Sequence, residues 1–298
     1  MAEQRKPVGV IGTGLMGTAC AKRLLAAGFD VIGYDVDAAK LAGLAALGGR
    51  AARSPSEIAG ACDRVVLAVF STEQVEETIE GPLGLVASRP RDAPPLTVIC
   101  MSTCDPDRIA ALAARLSGGP LRFVEAPVSG TSEQTARGEA LGLIGGERAA
   151  ADGATDVLDA ICPRRHHVGP AGNGARAKLA INLILGVNRA ALAEGLVFAE
   201  RMGLDPAAFL AVARESAAYS QVMDIKGAKM VSGDFAPQGF VTQSLKDFAL
   251  MAGQARRLGQ RLPLAETYTG LIQGCVAAGE GELDNSAVIR EIRRRTGS

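Results

Sequence analysis

VGVIGTGLMG, residues 8–17, opens with branched apolar residues and closes on three glycines, at positions 12, 14 and 17. VGVIG has the composition of a buried strand, and TACAKRLLAAG after the glycines reads as a helix that stops at Gly28. Set between a strand and a helix, the spacing has a mechanical meaning. Gly12 permits a tight turn, Gly14 lets the backbone approach a pyrophosphate, and Gly17 lets helix and sheet pack closely. The first N–H groups of the helix, around Leu15 and Met16, then face the phosphates.

DVIGYD, residues 30–35, supplies the next strand and ends on Asp35. A carboxylate at that place accepts ribose hydroxyls and repels a 2′-phosphate, so NAD is the expected cofactor ahead of NADP. The competing role for Asp35 is to cap the helix that follows. Lys40 weakens the preference for NAD only if its side chain folds back toward the ribose.

Outward from this unit, apolar segments recur at 64–70, 96–101, 122–126, 140–144 and 164–168, with helix-forming stretches such as DPDRIAALAARL among them. The alternation predicts an α/β fold, a Rossmann-like layer with a largely parallel sheet. The texture changes at VGPAGNGA, beyond which alanine, leucine and charged residues recur at helical intervals and β-branched runs are few. The chain is therefore expected to divide into a nucleotide-binding domain, 1–170, and an all-helical domain, 171–298. A long helix is expected from about 172 to Arg201, ended by Gly203, with Asp205 and Pro206 opening the next.

The 298 residues are 48% hydrophobic, enough for a large core, and 32 basic residues balance 32 acidic ones. No charge surplus attracts polyphosphate, which argues against nucleic acid as a partner. MAEQRKP lacks the pattern of an export signal, and no later apolar run reads as a convincing membrane span, so no membrane partner and a cytoplasmic location are expected. Six cysteines without a CxxC pair fit a reducing compartment. His166 and His167 are adjacent, so their side chains diverge along a strand; they make no metal set, and no metal is expected.

Two further strand ends carry hydroxyls. Ser102 and Thr103 follow LTVICM, where they suit either the ligand crevice or, together with Asp105, the cap of the next helix. Ser129, Gly130 and Thr131, in EAPVSGTSE, offer backbone donors and hydroxyls fit to hold a carboxylate, or else a simple turn. In GNGARAKLAINLI, residues 172–184, Lys178 and Asn182 stand four apart and so share a helix face. A lysine so placed can deliver an ammonium to a developing alkoxide, as general base in oxidation and general acid in reduction, with the asparagine orienting it. The competing reading is a lysine whose stem merely covers a neighbouring helix. Lys246, in QSLKDFAL, is a second candidate for the cleft, and Asp247 beside it a candidate for a cap or an ion pair.

Taken in order, IGTGLMG, APVSG, GPAGNGARAKLAIN, RMGLDP, LKDFAL and ELDNSAVI resemble the 3-hydroxyisobutyrate dehydrogenase-related β-hydroxyacid dehydrogenases over nearly the whole chain. The resemblance implies a second domain like that of 6-phosphogluconate dehydrogenase, a cofactor held between the two domains, and association through the helical part into a homodimer or homotetramer. It implies Lys178 as the catalytic lysine and Asn182 as its helper. Ser129, Gly130 and Thr131 become the substrate-carboxylate loop, Ser102 the rim of the site, Lys246 a contact of cofactor or substrate, and Asp35 the ribose-binding acid. Four positions depart from the family pattern: Glu125 and Thr131 in place of the aspartate and second glycine of DAPVSGG, Cys100 where an acid often precedes MST, and Ile181 in place of one asparagine of a pair.

The expected activity is NAD-dependent oxidation of a small β-hydroxy acid to the semialdehyde or keto acid, or the reverse reduction. An imine reductase of related architecture and a catalytically silent nucleotide-binding or interaction protein are the alternatives at this stage.

Overall fold

The computed structural model describes residues 6–90 and 92–297; residues 1–5, Arg91 and Ser298, parts of the MAEQRKP, RPRDAPP and RRRTGS segments, lie outside them. The chain divides into two compact units, Met1–Lys178 and Leu179–Ser298.

The first unit is built on one sheet. Its strands are β1 (Val8–Ile11), β2 (Val31–Tyr34), β3 (Arg50–Ala51), β4 (Arg64–Leu67), β5 (Leu96–Cys100), β6 (Leu121–Glu125), β7 (Val128–Ser129), β8 (Leu141–Gly146) and β9 (Arg164–Gly169). They lie in the order β3-β2-β1-β4-β5-β6-β8-β7, with β9 also paired to β8. Pairing is parallel from β3 through β6; β8 runs antiparallel to β6 and β7, and β9 parallel to β8. Side chains of successive residues leave a strand on opposite faces. Val10, Val66, Ile99 and Val124 accordingly enter one apolar cluster, while Ile11, Val65, Leu67 and Val98 enter another. Burial on both faces explains why these segments read as continuous apolar runs. The sequence reading missed β3 and β7, which at two residues each are too short to show a period.

Caps divide the roles among the polar residues at the helix starts. Asp37, Ser54, Ser71 and Asp105 each accept a backbone N–H from the first turn of the helix that follows. Asp105 opens the helix Pro106–Leu116 and Asp37 opens Ala38–Ala46. Of the capping candidates Ser102, Thr103 and Asp105 it is thus Asp105 that caps, and the capping role considered for Asp35 is filled by Asp37.

The first unit runs eight residues past the expected boundary at 170, because the start of the long helix Asn173–Arg201 is hydrogen-bonded to the β6–β7 region. The second unit is all helical, as read. Gly203, at φ +85°, follows the end of the long helix, and Asp205 caps Pro206–Glu215 with its carboxylate on Ala208 N–H at 2.8 Å. Leu192, Leu196, Phe248, Tyr268, Ile272 and Ile289 form part of its core. Gly186 allows the Phe248–Tyr268 pair to lie against the long helix: a Cβ there would come within 2.5 Å of the Phe248 ring.

The expectation that no run is long and apolar enough to cross a membrane needs correction. By length and composition the long helix is, among the described residues, one that is. Its apolar residues have another use, since Leu179, Leu192, Ala193, Leu196 and Val197 belong to the core of the helical unit. A second fixture of that unit is the fully buried Asp284, whose Oδ2 is 2.7 Å from Lys226 Nζ and which also accepts N–H groups from Gln238 and Ser286. Lost partners are costly for a buried charge, so this network pins the ELDNSAVI segment to the helix Gln221–Ser232.

Candidate active site

The parallel strands end at one level. Ile11 pairs with Leu67, Leu67 with Cys100 and Cys100 with Glu125. One residue further on, the ladder continues from Ala68 N to Ile11 O, from Met101 N to Leu67 O and from Ala126 N to Cys100 O. The loops carrying Gly12 and Ser102, and the link from β6 to β7 that leads to Ser129, therefore leave the same edge of the sheet. The strand order reverses direction between β1 and β4, which is where a doubly wound sheet opens its ligand crevice.

The three glycines differ in what surrounds them. Gly12 has φ +86° and lies so close to the end of β4 that a Cβ would sit 2.5 Å from the Ala68 carbonyl oxygen. At Gly17 a Cβ would fall 1.8 Å from the Gly12 oxygen, so the helix Leu15–Ala26 reaches the sheet only because that side chain is absent. Gly14 faces open space, and no side chain caps the helix it starts. Leu15 and Met16 are the first two helical residues, with Met16 packed against the apolar cluster of the sheet. An uncapped helix start beside an open glycine fits a pyrophosphate.

Asp35 follows β2 and closes on this loop. Its Oδ2 accepts the Thr13 N–H at 2.7 Å, and its Oδ1 accepts the Asp37 N–H at 3.0 Å. Lys40 does fold back, to 4.0 Å from Asp35 Oδ1 and 3.8 Å from Asp37 Oδ2.

Ser102 is buried and donates its hydroxyl to the Val69 carbonyl at 2.8 Å, joining the ends of β5 and β4. Gly130, at φ +154°, makes the turn after Ser129, and a Cβ there would meet Ala140 at 2.9 Å. Thr131 caps the short helix Ser132–Ala136: its Oγ1 accepts Gln134 N–H while Gln134 Oε1 accepts Thr131 N–H. The residue that replaces a family glycine is thus engaged in a capping box, and T-S-E-Q carried that signal in the sequence. Cys100, where an acid often stands, is part of the core; the Cys104 thiol beside it and burial push it well above the usual thiol range, so it is a neutral packing group.

Lys178 is 9% exposed and donates from Nζ to the Val128 carbonyl at 2.7 Å, one residue before Ser129. The aliphatic-stem reading does not describe it: the ammonium itself is buried against the hydroxyl loop. Glu125, the last residue of β6, accepts N–H groups from Gly172 and Ala175 at the start of the same helix.

Within the helical unit, Asn182 Nδ2 donates to Asp247 Oδ2 at 2.8 Å, and Lys246 Nζ lies 3.0 Å from Asp247 Oδ1. Oδ1 has no aligned hydrogen bond, so its pairing with Lys246 is one of charge. Asp247 is buried, and it joins two residues that the sequence reading had treated separately. His167 donates locally from Nε2 to the Gly146 carbonyl, 2.9 Å away.

One family model, described as the NAD binding domain of 6-phosphogluconate dehydrogenase, matches residues 7–169. Another, described as NAD-binding of NADP-dependent 3-hydroxyisobutyrate dehydrogenase, matches residues 172–292. L-Threonate dehydrogenase of Cupriavidus necator is 34% identical over 95% of both chains. The chain belongs to the 3-hydroxyisobutyrate dehydrogenase-related β-hydroxyacid dehydrogenase family. Two more members frame it: 2-(hydroxymethyl)glutarate dehydrogenase of Eubacterium barkeri, 30% identical over 99% of this chain and 97% of that one, and the crystal structure of 3-hydroxyisobutyrate dehydrogenase from Salmonella typhimurium, 32% identical with a TM-score of 0.86 over 96% and 99%. Like the family models that match it, this member carries the fold and the glycine loop of a nicotinamide-dinucleotide protein.

The contrast between two glycines of that loop is testable. Gly14 has an ordinary φ of −67°, so Gly14→Val should leave the thermal unfolding midpoint nearly unchanged while weakening NAD binding by about tenfold or more, about 1.4 kcal/mol. Gly17→Val should lower the midpoint itself, because the clash is with backbone. Calorimetry for binding and unfolding on both variants separates the two roles.

Proposed function

We propose that the protein is an NAD(P)-dependent oxidoreductase that oxidises a small β-hydroxy acid to its semialdehyde or keto acid, or runs the reverse reduction, with NAD preferred. The observation that carries this reading is the buried Lys178 ammonium on the Val128 carbonyl, next to Ser129. Relatives named for L-threonate, 2-(hydroxymethyl)glutarate and 3-hydroxyisobutyrate support a substrate that is at once an alcohol and a carboxylate.

When bound, the dinucleotide supplies the acceptor or donor of hydride. The remaining work falls to the chain. In oxidation Lys178, as the neutral amine, takes the hydroxyl proton at Nζ; in reduction its ammonium gives the proton back and stabilises the negative charge that grows on that oxygen. Asn182, one helical turn on, assists; its amide is oriented because Nδ2 is already committed to Asp247. Ser129 and Gly130 hold the carboxylate, while Thr131, occupied as a cap, narrows the loop by its methyl group. Ser102 lines the reacting end, and Gly12, Gly14, Leu15, Met16, Gly17 and Asp35 hold the cofactor; Lys246 is assigned as a contact of cofactor or substrate. An amine-forming reaction is less favoured, since a buried cation beside hydroxyl donors suits an alkoxide and a carboxylate.

NAD preference rests on the Asp35 carboxylate, and the approach of Lys40 sets a limit on it. Further parts of the reading are a cytoplasmic location, in keeping with six free and buried thiols, and a homodimer or homotetramer without nucleic acid or membrane. The assembly has a candidate surface: Ile184, Ala191 and Phe198 repeat every seven residues along the exposed side of the long helix, and Met202 extends the stripe.

Three measurements bear on this. Lys178→Ala should bind NAD as before yet lose roughly 10²-fold or more in single-turnover hydride transfer with the hydroxy acid that a panel of small hydroxy and aldehyde acids identifies; an unchanged rate would remove Lys178 from the chemistry, and a panel answered only by imines would remove the substrate class. Asp35→Ser should shift the ratio of NAD to NADP efficiency toward NADP by about tenfold. The ratio is the proper readout, because the substitution also releases Thr13 N–H and loosens the loop for both cofactors. Phe198→Asp should lower the mass measured by light scattering, and a wild-type chain that stays a monomer at all assay concentrations contradicts the assembly.

A further inference from the structure

Glu125 is 2% exposed, yet no cation neutralises it at hydrogen-bonding distance among the described residues; its partners are backbone N–H groups. Oε2 accepts from Gly172 at 2.5 Å and Oε1 from Ala175 at 3.0 Å, and Gly174 N–H also stabilises the charge. Gly172 immediately precedes, and Gly174 and Ala175 belong to, the first turn of a helix of 29 residues, where N–H groups have no partner within the helix. Burial holds the carboxyl above its usual range while the three N–H groups pull it back.

The space for this carboxylate is built from glycines. A Cβ on Gly145 would lie 2.5 Å from Glu125 Oε2, and one on Gly174 would lie 3.0 Å from Glu125 Cβ and 2.9 Å from the Leu143 carbonyl oxygen. Gly172, at φ +93°, turns its N–H inward, and a Cβ there would stand 2.8 Å from the Pro106 oxygen. With both oxygens engaged by backbone, Glu125 is not a group for substrate. It is, however, one turn from Lys178 at the helix end and three residues from Val128 at the strand end. Two bonds, Glu125 to the helix start and Lys178 to Val128, close a small ring of chain.

We propose that Glu125 is a positioning residue for Lys178: by seating the first turn of the long helix on the end of β6, it keeps the ammonium at the Val128 carbonyl beside Ser129. The proposal rests on the reading of Lys178 as acid/base. It also assigns a use to one departure from the family pattern, since the longer acid spans from β6 to two N–H groups across a cradle kept clear by Gly145 and Gly174.

The test is a double-mutant cycle on the full-length protein, with Glu125→Gln, Lys178→Ala and the pair, reading NAD affinity, thermal midpoint, KM and single-turnover hydride transfer. An amide in this place must turn its NH₂ toward a helix N–H, so Glu125→Gln should displace the helix start and slow hydride transfer by about tenfold or more, with NAD affinity held and KM changed less than kcat. Glu125→Asp, which keeps the charge, should recover part of the rate. In the Lys178→Ala background, Glu125→Gln should have no further effect. Gly145→Ala puts a methyl group against both Glu125 Oε2 and the Gly174 nitrogen, prising the carboxylate from the helix start, and gives the same selective loss if the glutamine variant does not fold. A wild-type rate in Glu125→Gln or Gly145→Ala, or losses that multiply independently of Lys178, overturns the proposal while Lys178→Ala remains slow. Full activity in Lys178→Ala overturns the acid/base reading, and this proposal with it.

Discussion

Four parallel strands that stop in register are the constraint from which the rest of the first unit follows. Because Ile11, Leu67, Cys100 and Glu125 sit across from one another, every loop that leaves these strands starts from the same edge. A slip of one residue in any pair would exchange its two faces and break the alternation that feeds the two apolar clusters. Core packing thereby sets the register, and the register assembles the phosphate loop, the Ser102 loop and the link to β7 without any of them having to attract the others.

Glycine serves this edge in two different ways. At Gly12, Gly17, Gly145 and Gly174 the missing side chain lets backbone or a buried carboxylate come close, and the neighbours named are main chain or Glu125. At Gly14 nothing lies nearby, so the missing side chain leaves room for something other than protein. The first kind is a requirement of folding and the second a requirement of binding. Both stand within one six-residue loop, where a spacing pattern alone gives them equal weight.

Three of the buried carboxylates are met by three kinds of partner. Glu125 is held by helix N–H groups, Asp284 by Lys226 with backbone and hydroxyl donors, and Asp247 by the Asn182 amide and the Lys246 ammonium. The Asp284 network has its oxygens saturated and reads as structure. Asp247 keeps one oxygen without an aligned hydrogen bond, and its partners are side chains with roles of their own. Burial raises the cost of leaving such a group unmatched, which is why each cluster holds its members in one geometry.

Much of this was legible in the chain itself. The strand, glycine turn and helix at 8–28, the helical texture after 172, the Asp205–Pro206 helix start and the face shared by Lys178 and Asn182 depend on period and turn chemistry over a few residues. The Thr131 capping box was also written locally and was passed over in favour of a carboxylate site. What only the tertiary structure decided were pairs distant in sequence: Glu125 with Gly172 and Ala175, 47 and 50 residues on, and Asn182 with Asp247, 65 residues on. Neighbours such as Lys246 and Asp247 start on different sides of a helix, yet a long lysine side chain reaches back to the carboxylate. Local sequence fixes which way a side chain leaves the backbone, whereas its partner depends on where packing brings a distant segment, and burial then decides whether the meeting is held.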